Sequence, residues 1–346
     1  MQESTQSVTT VSQNWKLVAD IGGTNARFGL ARHGGEGHRG LQGTLVEDIR
    51  QLPCAQFEQL EAALESYLQS LPASKVASLS EACLAVAGPV GSDRIAVTNL
   101  PWSFSKSSLK RSLGYARFEV INDFAALALS CPGLQGEELA RVDTETEPVS
   151  EHPMPEEPRV VIGPGTGLGV CGLLRNGNTW RALPGEGGHT TIAPVNEEEL
   201  AIVQYLRREH CHISAEHLLC GRGLANIHRG LAAIGGQRET SRDPAAITAA
   251  ALDGSCALAR YTVHLFCNLL GSFCGDAVLT LGARGGLYLG GGILPRIEPL
   301  LRASDFMSRL RAKGVMSAYL HKLPVYLVRH PFPALVGAAA FLGSEQ

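Results

Sequence analysis

The chain has 346 residues, of which 45% are hydrophobic, so it exceeds the size that one core usually serves and two lobes are expected. A formal net charge of −3, with both signs interspersed, provides no basic surface for nucleic acid or for an anionic membrane. Nine cysteines, an odd number without a paired spacing, argue against a disulfide framework and predict buried thiols in a reducing compartment, so we expect a cytoplasmic protein.

Neither the N-terminus nor any apolar segment predicts a membrane location. Residues 1–14 are rich in Ser, Thr and Gln and contain no apolar run, which predicts a disordered tail and not a signal peptide. The most apolar candidate for a membrane span, Val278 to Leu294, is interrupted by Arg284. We therefore expect no segment long and apolar enough to cross a bilayer.

Strand-like runs alternate with helical patterns along the rest of the chain, which favours an α/β fold. Two glycine turns each follow a short apolar run: Asp20-Ile21-Gly22-Gly23-Thr24 comes after Leu17–Ala19, and Gly163–Gly169 comes after Val160–Ile162. The acidic, proline-rich stretch from Asp143 to Pro158 predicts a loop. In chain order, the other predicted elements are a helix over Phe57–Leu71, strands over Glu81–Ala87, Arg94–Val97 and Phe118–Ile121, a helix over Phe124–Leu129, a helix that starts at Pro244, a long buried helix over Leu258–Phe273, strands over Leu287–Leu289 and Pro324–Val328, and a last helix over Ala334–Leu342.

The two glycine turns are related in sequence. A shift of 143 positions places Gly22 on Gly165 and Leu30 on Leu173. Glycine admits a positive φ and lets backbone N–H groups approach an anion, so two such strand–turn–strand units would hold a nucleoside triphosphate between two lobes. A duplicated lobe with a ligand between its copies is the economical interpretation.

Asp20 is the candidate magnesium ligand. At the tip of the first turn, its carboxylate would orient Mg²⁺ beside a triphosphate, either directly or through water. Thr24 and the N–H groups of Gly22 and Gly23 would then donate to phosphate oxygens. A plain hairpin turn explains the same residues, because Asp-x-Gly-Gly is ordinary turn chemistry.

Two other phosphate-binding motifs are disfavoured. Gly167–Gly172 matches the dinucleotide fingerprint G-x-G-x-x-G, but a true fingerprint must open a helix. Here the match continues into Leu173–Asn178, which is typical of a strand and a turn. A Walker A loop is absent, since the sequence contains no Gly-Lys-Ser or Gly-Lys-Thr.

Asn122 and Asp123 follow a buried strand, at the position where open α/β sheets place ligand-handling residues. An aspartate there would accept the proton of a substrate hydroxyl as its oxygen attacks a γ-phosphorus. The alternative is a helix N-cap, which Asp and Asn form routinely. The residues alone leave both roles open.

The loop Glu186-Gly187-Gly188-His189 presents a carboxylate and an imidazole that suit vicinal hydroxyls. Glu216, after Ser214, is either an acid at a helix start or a further hydroxyl acceptor. Such a set suits a polyol, because each hydroxyl both donates and accepts a hydrogen bond. A metal site at His210-Cys211-His212 is disfavoured, since alternate side chains point to different faces and no CxxC partner exists.

Taken together and in this order, the motifs resemble those of the bacterial glucokinases of the hexokinase-like branch, in the actin-like ATPase superfamily. The resemblance runs from about Lys16 to the last helix and so covers nearly the whole chain. The segments that carry it are Ala19–Arg27, Thr98-Asn99 with Trp102, Ile121–Phe124, Gly163–Gly169, Leu183–His189, Ser214–Glu216, and Gly291–Ile293 with Pro295-Arg296.

The resemblance implies a fold of two ribonuclease-H-like lobes with a cleft between them, which close on glucose and exclude water. The expected boundaries are a tail over 1–14, a small lobe over 15–122 completed by 334–346, and a large lobe over 123–333. The resemblance also implies ATP-dependent phosphorylation of D-glucose at the 6-hydroxyl, with Mg²⁺ as cofactor and a homodimer as the assembly.

Residue roles follow from the same resemblance. Asp123 would be the catalytic base that takes the proton from the sugar 6-hydroxyl. The other implied sugar ligands are Asn122, Glu186, His189 and Glu216, and the implied nucleotide-binding residues are Ala19, Asp20, Ile21, Gly22, Gly23, Thr24, Gly165, Thr166, Gly167, Gly291 and Gly292.

Two alternative functions stay open: a kinase for another hexose, such as mannose or fructose, and a non-catalytic sugar sensor. The cysteine-rich zinc motif of related repressors and sugar kinases is missing, which argues against structural zinc. No basic helix-turn-helix segment is present, which disfavours DNA contact. We therefore expect glucose and ATP as partners, without nucleic acid or membrane.

Overall fold

The computed structural model describes residues 15–33, 44–143, 156–237 and 243–344. The predicted tail over 1–14 lies outside these residues, as does most of the loop predicted from Asp143 to Pro158.

Within the described residues, the strands form two large sheets and a two-stranded ribbon. The strands are β1 (Lys16–Ile21), β2 (Asn25–His33), β3 (Thr44–Pro53), β4 (Glu81–Val86), β5 (Arg94–Ala96), β6 (Ser103–Ser105), β7 (Arg117–Asn122), β8 (Leu139–Arg141), β9 (Arg159–Pro164), β10 (Leu168–Asn176), β11 (Thr179–Gly185), β12 (Leu287–Leu289) and β13 (Val325–Val328).

Helices follow most of the predicted positions, with changed ends. They are α1 (Leu60–Gln69), α2 (Ala73–Ala77), α3 (Lys106–Leu113), α4 (Asp123–Ser130), α5 (Glu197–Leu206), α6 (Gly221–Ile234), α7 (Pro244–Leu252), α8 (Ala257–Leu281), α9 (Glu298–Arg302), α10 (Phe306–Arg311), α11 (Ser317–His321) and α12 (Pro333–Gly343). The predicted start of α1 at Phe57 is wrong because a 3₁₀ turn, Cys54–Gln56, precedes it and leaves Phe57 extended. The predicted start of α7 at Pro244 is confirmed.

Backbone contacts divide the chain into two compact units. Among the described residues, one unit contains those up to Ala126 together with those from Ala334 onward, and the other contains those from Leu127 to Pro333. The boundary falls inside α4, slightly later than the expected one after Asn122.

The first unit is built on a five-stranded sheet in the order β3-β2-β1-β4-β7. β1 pairs antiparallel with β2 and parallel with β4, and β4 pairs parallel with β7. One layer of the core contains Phe28 of β2, whose ring stacks on that of Tyr67 in α1 at 5.2 Å between centroids. Both side chains are fully buried, which explains why α1 has apolar residues at helical spacing.

Helix α12 belongs to the first unit, and its small residues let it pack closely there. The α-carbon of Gly337 faces the carbonyl oxygen of Ala126 in α4, where a Cβ would not fit. At the other end of α12, Lys16 Nζ and Arg117 Nη1 donate to the carbonyl oxygen of Leu342, at 3.3 and 3.0 Å. These cations satisfy a carbonyl group that the helix itself leaves unpaired.

The second unit is built on a six-stranded sheet in the order β11-β10-β9-β12-β13-β8, with α8 as its central helix. The expectation that no segment is long and apolar enough to cross a bilayer is wrong, because α8 meets both criteria. Its most apolar window is 78% buried inside the structure, as in the core helix of a globular fold. The sequence pattern missed this because α8 ends before Arg284.

The duplication predicted from the sequence is visible in the two sheets. β1 and β2 correspond to β9 and β10 at the shift of 143 residues. In each sheet the first strand of the hairpin has a parallel neighbour on its other side, which is β4 for β1 and β12 for β9. The strand pairing differs by one residue, because Ile21 pairs with Ala26 whereas Pro164 pairs with Leu168. The second glycine turn is therefore one residue tighter than the first.

Candidate active site

Parallel pairing of β1, β4 and β7 gathers the candidate residues of the first unit at one edge. In register, Ile21 lies beside Val86, and Val86 lies beside Asn122. The carboxyl ends of these strands therefore meet, so the first glycine turn and the Asn122-Asp123 pair are neighbours. This edge is where open α/β sheets place ligand-handling residues.

The first glycine turn differs from its prediction in two respects. Asp20 does not lie at the tip of the turn, because it is a residue of β1 and faces Arg27 of β2 across the strand pair. Gly22 N–H is not free for a phosphate, since it donates to the carbonyl oxygen of Asn25 at 3.1 Å and closes the turn. Gly23 and the exposed Thr24 keep their predicted place at the tip.

Ala19 and Ile21 are fully buried, so only their backbone groups can serve a ligand. Their side chains belong to the core of the first unit. The sequence assigned both to the nucleotide loop without distinguishing backbone from side chain.

The sequence left two roles open for the Asn122-Asp123 pair, a helix N-cap and an acceptor for a substrate proton, and the structure assigns the N-cap to Asn122. Asn122 is the N-cap of α4, because its Oδ1 accepts from the N–H groups of Phe124 and Ala125 at 3.0 and 3.1 Å. Asp123 is the first residue of the helix, and its Oδ1 accepts from Phe124 N–H at 2.8 Å. Since Asn122 caps the helix, Asp123 is not needed for that purpose.

Burial, and then the charge of the neighbouring Asp20, raise the pKa of the Asp123 carboxyl to about 6. Burial also raises the pKa of Asp20, but the guanidinium of Arg27 opposes part of that rise. Arg27 Nη1 lies 2.9 Å from Oδ2 of Asp20. A carboxylate with a pKa near 6 is a stronger base than an exposed aspartate and is still ionised at neutral pH.

Two residues at this edge were part of the quoted motifs but received no role. Arg27 is the ion-pair partner of Asp20, and its Nε donates to Gln51 Oε1 at 3.1 Å. Asn99 has a φ of +63° and its Cβ lies 3.3 Å from the position that a Cβ on Gly23 would take. A non-glycine residue in the left-handed region is rare, and such residues cluster at functional sites. The Thr98-Asn99-Leu100-Pro101 run was the sequence signal, since asparagine tolerates this conformation better than most residues.

The second glycine turn belongs to the second unit and joins β9 to β10. Gly165 N–H donates to the carbonyl oxygen of Gly167 at 2.8 Å, which leaves Thr166 exposed at the tip. The segment Gly167–Gly172, which matched the dinucleotide fingerprint, lies largely in β10 and opens no helix.

Gly291 follows β12, next to the end of β9, and has a φ of +81°. A Cβ on Gly291 would meet the carbonyl oxygen of Pro164, so only glycine fits. Gly292 is exposed beside it. The structure thus brings the two predicted nucleotide segments of this unit together, Gly165–Gly167 and Gly291-Gly292.

Glu186 precedes the 3₁₀ turn Gly187–His189 that follows β11, and the side chains of Glu186 and His189 are 90% and 61% exposed. Glu186 Oε2 lies 3.9 Å from His189 Nε2. An ion pair between two exposed side chains contributes little to the stability of the fold, so both groups are available to a polar ligand.

Glu216 lies beside both of these regions of the second unit. The N–H of Ala215 donates to the carbonyl oxygen of Thr190 at 2.8 Å, which joins its segment to the turn that carries His189. Glu216 Oε2 accepts from Leu168 N–H at 2.9 Å, and its Oε1 lies 3.8 Å from Arg222 Nη2. The sequence predicted Glu216 as an acid at a helix start or as a sugar ligand, and it missed the bond to the glycine turn because 48 residues separate the partners.

The described residues contain no group of three or more His, Cys, Asp or Glu side chains that could hold a metal ion. Asp20 is the one predicted metal ligand, and Arg27 already contacts its Oδ2. A single carboxylate oxygen fits Mg²⁺ that keeps most of its waters and is bound chiefly by substrate phosphates.

A cavity of about 270 Å³ lies in the second unit between β10, β11 and α8. Its lining is mainly apolar and includes Val170, Leu183, Phe273 and Leu281. Neither Glu186, His189 nor Glu216 lines it. Because a hexose needs polar partners for its hydroxyls, this cavity is not the predicted sugar site.

The sequence matches the family described as Glucokinase over residues 17–345. The glucokinase of Chromobacterium violaceum is 43% identical over 338 residues, which cover 97% of this chain and 92% of that protein. The glucokinase of Saccharophagus degradans is 40% identical over 326 residues, which cover 94% of this chain and 97% of that protein.

A solved glucokinase from an Antarctic psychrotroph is 38% identical and superposes with a TM-score of 0.83, covering 95% of this chain and 98% of that one. This likeness confirms the predicted α/β fold of the actin-like ATPase type. Because the family match spans nearly all of the sequence, the chain belongs to the glucokinase family.

Proposed function

We propose that this member of the glucokinase family transfers the γ-phosphoryl group of ATP to the 6-hydroxyl of D-glucose, with Asp123 as the base. Glucose phosphorylation itself follows from the family membership. The position of transfer and the residue roles are our inference from the chemistry of the site.

The observation that carries the proposal is the environment of Asp123. Its carboxylate lies at the carboxyl end of β7, beside the first glycine turn, with a pKa raised to about 6 by burial and by Asp20. As the sugar oxygen attacks the γ-phosphorus, the Asp123 carboxylate accepts the hydroxyl proton and the bond to the ADP oxygen breaks. The protein needs no covalent intermediate for this step, because positioning and charge stabilisation account for most catalysis of phosphoryl transfer.

The sugar ligands of the proposal are polar groups with few competing contacts. Glu186 and His189 are exposed, and Glu216 Oε1 has a 3.8 Å contact with the exposed Arg222, which still allows it to accept from a hydroxyl. Asn122 presents its amide beside Asp123, although its Oδ1 is occupied by the helix cap. Its Nδ2 also donates to the carbonyl oxygen of Gly88, at 3.5 Å, so we assign Asn122 a weaker contact through the second hydrogen of that group.

Asp20 is the residue that would hold Mg²⁺, through water, with the phosphates of ATP supplying the other ligands. Bound there, the ion would neutralise the charge that develops on the transferred phosphoryl group. The N–H groups at the tips of the two glycine turns, at Gly23, Thr24 and Thr166, are the candidate phosphate donors of the chain.

We extend the proposal to a cytoplasmic homodimer that binds neither nucleic acid nor membrane. All nine cysteines are free of disulfides, which suits a reducing compartment. The homodimer is inferred from the resemblance alone, and light scattering after size-exclusion chromatography tests it.

The test of the catalytic role is Asp123→Ala, assayed by ADP release with glucose, Mg²⁺ and ATP. We expect kcat to fall by about 10²- to 10⁴-fold, the usual contribution of general base catalysis, while glucose binding persists. The matched control is Glu119→Gln, which removes another carboxylate of the same strand, β7, and is expected to keep full activity. An Asp123→Ala variant with normal kcat would refute Asp123 as the base.

A panel of glucose, mannose, fructose and an N-acetylated hexose tests the substrate. A kcat/KM on another sugar that is comparable to the value on glucose would contradict the assignment of glucose as the specific substrate. Absence of ADP release with every sugar would instead support a non-catalytic sugar sensor.

A further inference from the structure

One segment of the second unit, Ser214–Gly221, contacts both predicted binding regions of that unit. Towards the turn that carries Glu186 and His189, Ala215 N–H donates to Thr190 O at 2.8 Å and Ser214 forms a β-bridge with Thr191. Towards the second glycine turn, Gly221 N–H donates to Gly165 O at 2.9 Å. We call Ser214–Gly221 the linking segment.

Glu216 is the residue of the linking segment whose side chain reaches the glycine turn. Its Oε2 accepts from Leu168 N–H at 2.9 Å, and a Cβ on Gly167 would lie 2.5 Å from the same oxygen. The side chain is 21% exposed, so the carboxylate is largely shielded from water, which strengthens a hydrogen bond to an anionic acceptor. The absence of a side chain at Gly167 is therefore what allows the Glu216 carboxylate to lie against the turn.

We propose that Glu216 is a positioning residue for the second glycine turn, so that glucose and nucleotide binding are coupled through one carboxylate. The inference rests on the proposed function, in which Glu216 Oε1 binds a sugar hydroxyl and the glycine turn binds phosphate. A sugar that holds Oε1 also fixes Oε2, and Oε2 holds Leu168 N–H and with it the end of the turn. By thermodynamic linkage, a nucleotide that orders the turn must favour sugar binding by the same factor.

The contact between Glu216 and the turn is testable without mutating a sugar ligand, through Gly167→Ala. The atom that the new Cβ meets is the end of a flexible side chain, so the carboxylate moves and the backbone of the turn is kept. We expect glucose binding, measured by calorimetry without nucleotide, to weaken about five- to tenfold, within the usual range of coupling between sites.

Gly165→Ala is the matched control for this experiment. Gly165 belongs to the same turn, but a Cβ there meets no atom within 4 Å and leaves Glu216 in place. Its glucose dissociation constant is expected to stay within about twofold of the wild-type value, which is a small fraction of typical site coupling. Equal glucose affinity in the wild type and Gly167→Ala would overturn the proposal.

The reverse direction uses ADP binding in the absence of sugar. Glu216→Ala is expected to weaken ADP binding about fivefold although residue 216 lies outside the predicted nucleotide loops, because Leu168 N–H loses its acceptor. Glu216→Gln retains an oxygen acceptor and should recover part of the loss. His189→Ala removes a sugar ligand without contact to the turn and should leave ADP affinity unchanged. Unaltered ADP binding in Glu216→Ala would overturn the proposal.

The double variant Gly167→Ala/Glu216→Ala separates coupling from misfolding. Once the carboxylate is gone, the methyl group added at position 167 meets no other atom closer than 3.8 Å, so the double variant should bind glucose as Glu216→Ala alone does. Additive losses would show that Gly167→Ala acts by damaging the turn and would overturn the inference. Failure of the proposed function is distinct, since the wild type would then release no ADP with glucose and ATP.

Discussion

Arg27 Nη1 lies 2.9 Å from Oδ2 of Asp20, and the two residues face each other across the β1–β2 strand pair. The ion pair stabilises the charged form of Asp20 although burial raises its pKa. Burial, and then repulsion by the charge of Asp20, raise the pKa of the Asp123 carboxyl to about 6. The two neighbouring carboxyls therefore differ in their surroundings: Asp20 has a cationic partner that opposes part of the rise in its pKa, whereas Asp123 has a pKa of about 6 and exchanges a proton near neutral pH.

Asp20→Asn is expected to move the acid limb of the pH dependence of kcat/KM to lower pH. Asp123 acts as the carboxylate, so activity rises as pH increases through its pKa of about 6. Burial is the larger cause of that pKa and persists in the variant, whereas the repulsion by Asp20 is removed. We therefore predict a shift of about half to one pH unit, part of the range seen for neighbouring like charges.

The position of the limb is independent of the height of the profile, so a lower kcat in Asp20→Asn does not obscure the result. Asp48→Asn removes an exposed carboxylate of the same unit, paired with Lys75, and serves as the control. A limb that stays in place for Asp20→Asn, or that moves equally for both variants, would contradict the assigned coupling.

Asp123→Asn is expected to lower kcat as Asp123→Ala does and to stabilise the folded protein. Because the folded-state pKa of about 6 exceeds the unfolded value near 3.8, the folded protein holds this proton more tightly, and stability falls as pH rises through that window. The ionised carboxylate then costs about 3 kcal/mol at pH 7.5 and about half as much at pH 5. An amide avoids this cost and keeps an oxygen for Phe124 N–H.

Urea unfolding at the two pH values measures the effect. The variant should be more stable than the wild type by about 1–3 kcal/mol at pH 7.5, with a smaller difference at pH 5. Equal stability of the two proteins at both pH values would show that Asp123 is not held in an unfavourable environment.

The local elements were predictable because their signals are local. Adding 143 to the residue numbers of β1 and β2 gives the bounds of β9 and β10. The end of β7 at Asn122 follows from an apolar run that stops at the polar pair Asn122-Asp123. Hydrophobic periodicity and capping residues identify a helix or a strand from a few neighbouring positions of the chain.

The contacts that adapt these elements to a site were not predictable. Whether Gly22 N–H faces a ligand depends on how the turn closes, and one residue of strand register distinguishes the two turns. The bond from Leu168 to Glu216 joins residues far apart in sequence, and the raised pKa of Asp123 depends on burial by several elements. Such features arise from tertiary packing, for which a single sequence carries no periodic signal.

His189→Ala is expected to raise the KM for glucose about tenfold, because a sugar hydroxyl loses its imidazole partner. The KM for ATP should change little, since the side chain makes no contact with either nucleotide segment of its unit. His212→Ala is the matched control: it removes another exposed imidazole of the same unit, one that contacts Thr191 at 3.0 Å. Equal effects of the two variants on the glucose KM would argue against a sugar contact at His189.

Gly337→Ala tests the packing of α12 against the helix that begins at Asp123. A Cβ at 337 would collide with the backbone carbonyl of Ala126, which cannot move aside as a side chain can. We expect a loss of about 2–3 kcal/mol of stability, as for overpacked cores, and a lower kcat because a displaced α4 misplaces Asp123 at its first turn. Gly91→Ala, where a Cβ meets no atom within 4 Å, should change neither quantity. Thermal unfolding and ADP release measure both, and a fully stable, fully active Gly337→Ala variant would mean that α12 and α4 do not pack this closely.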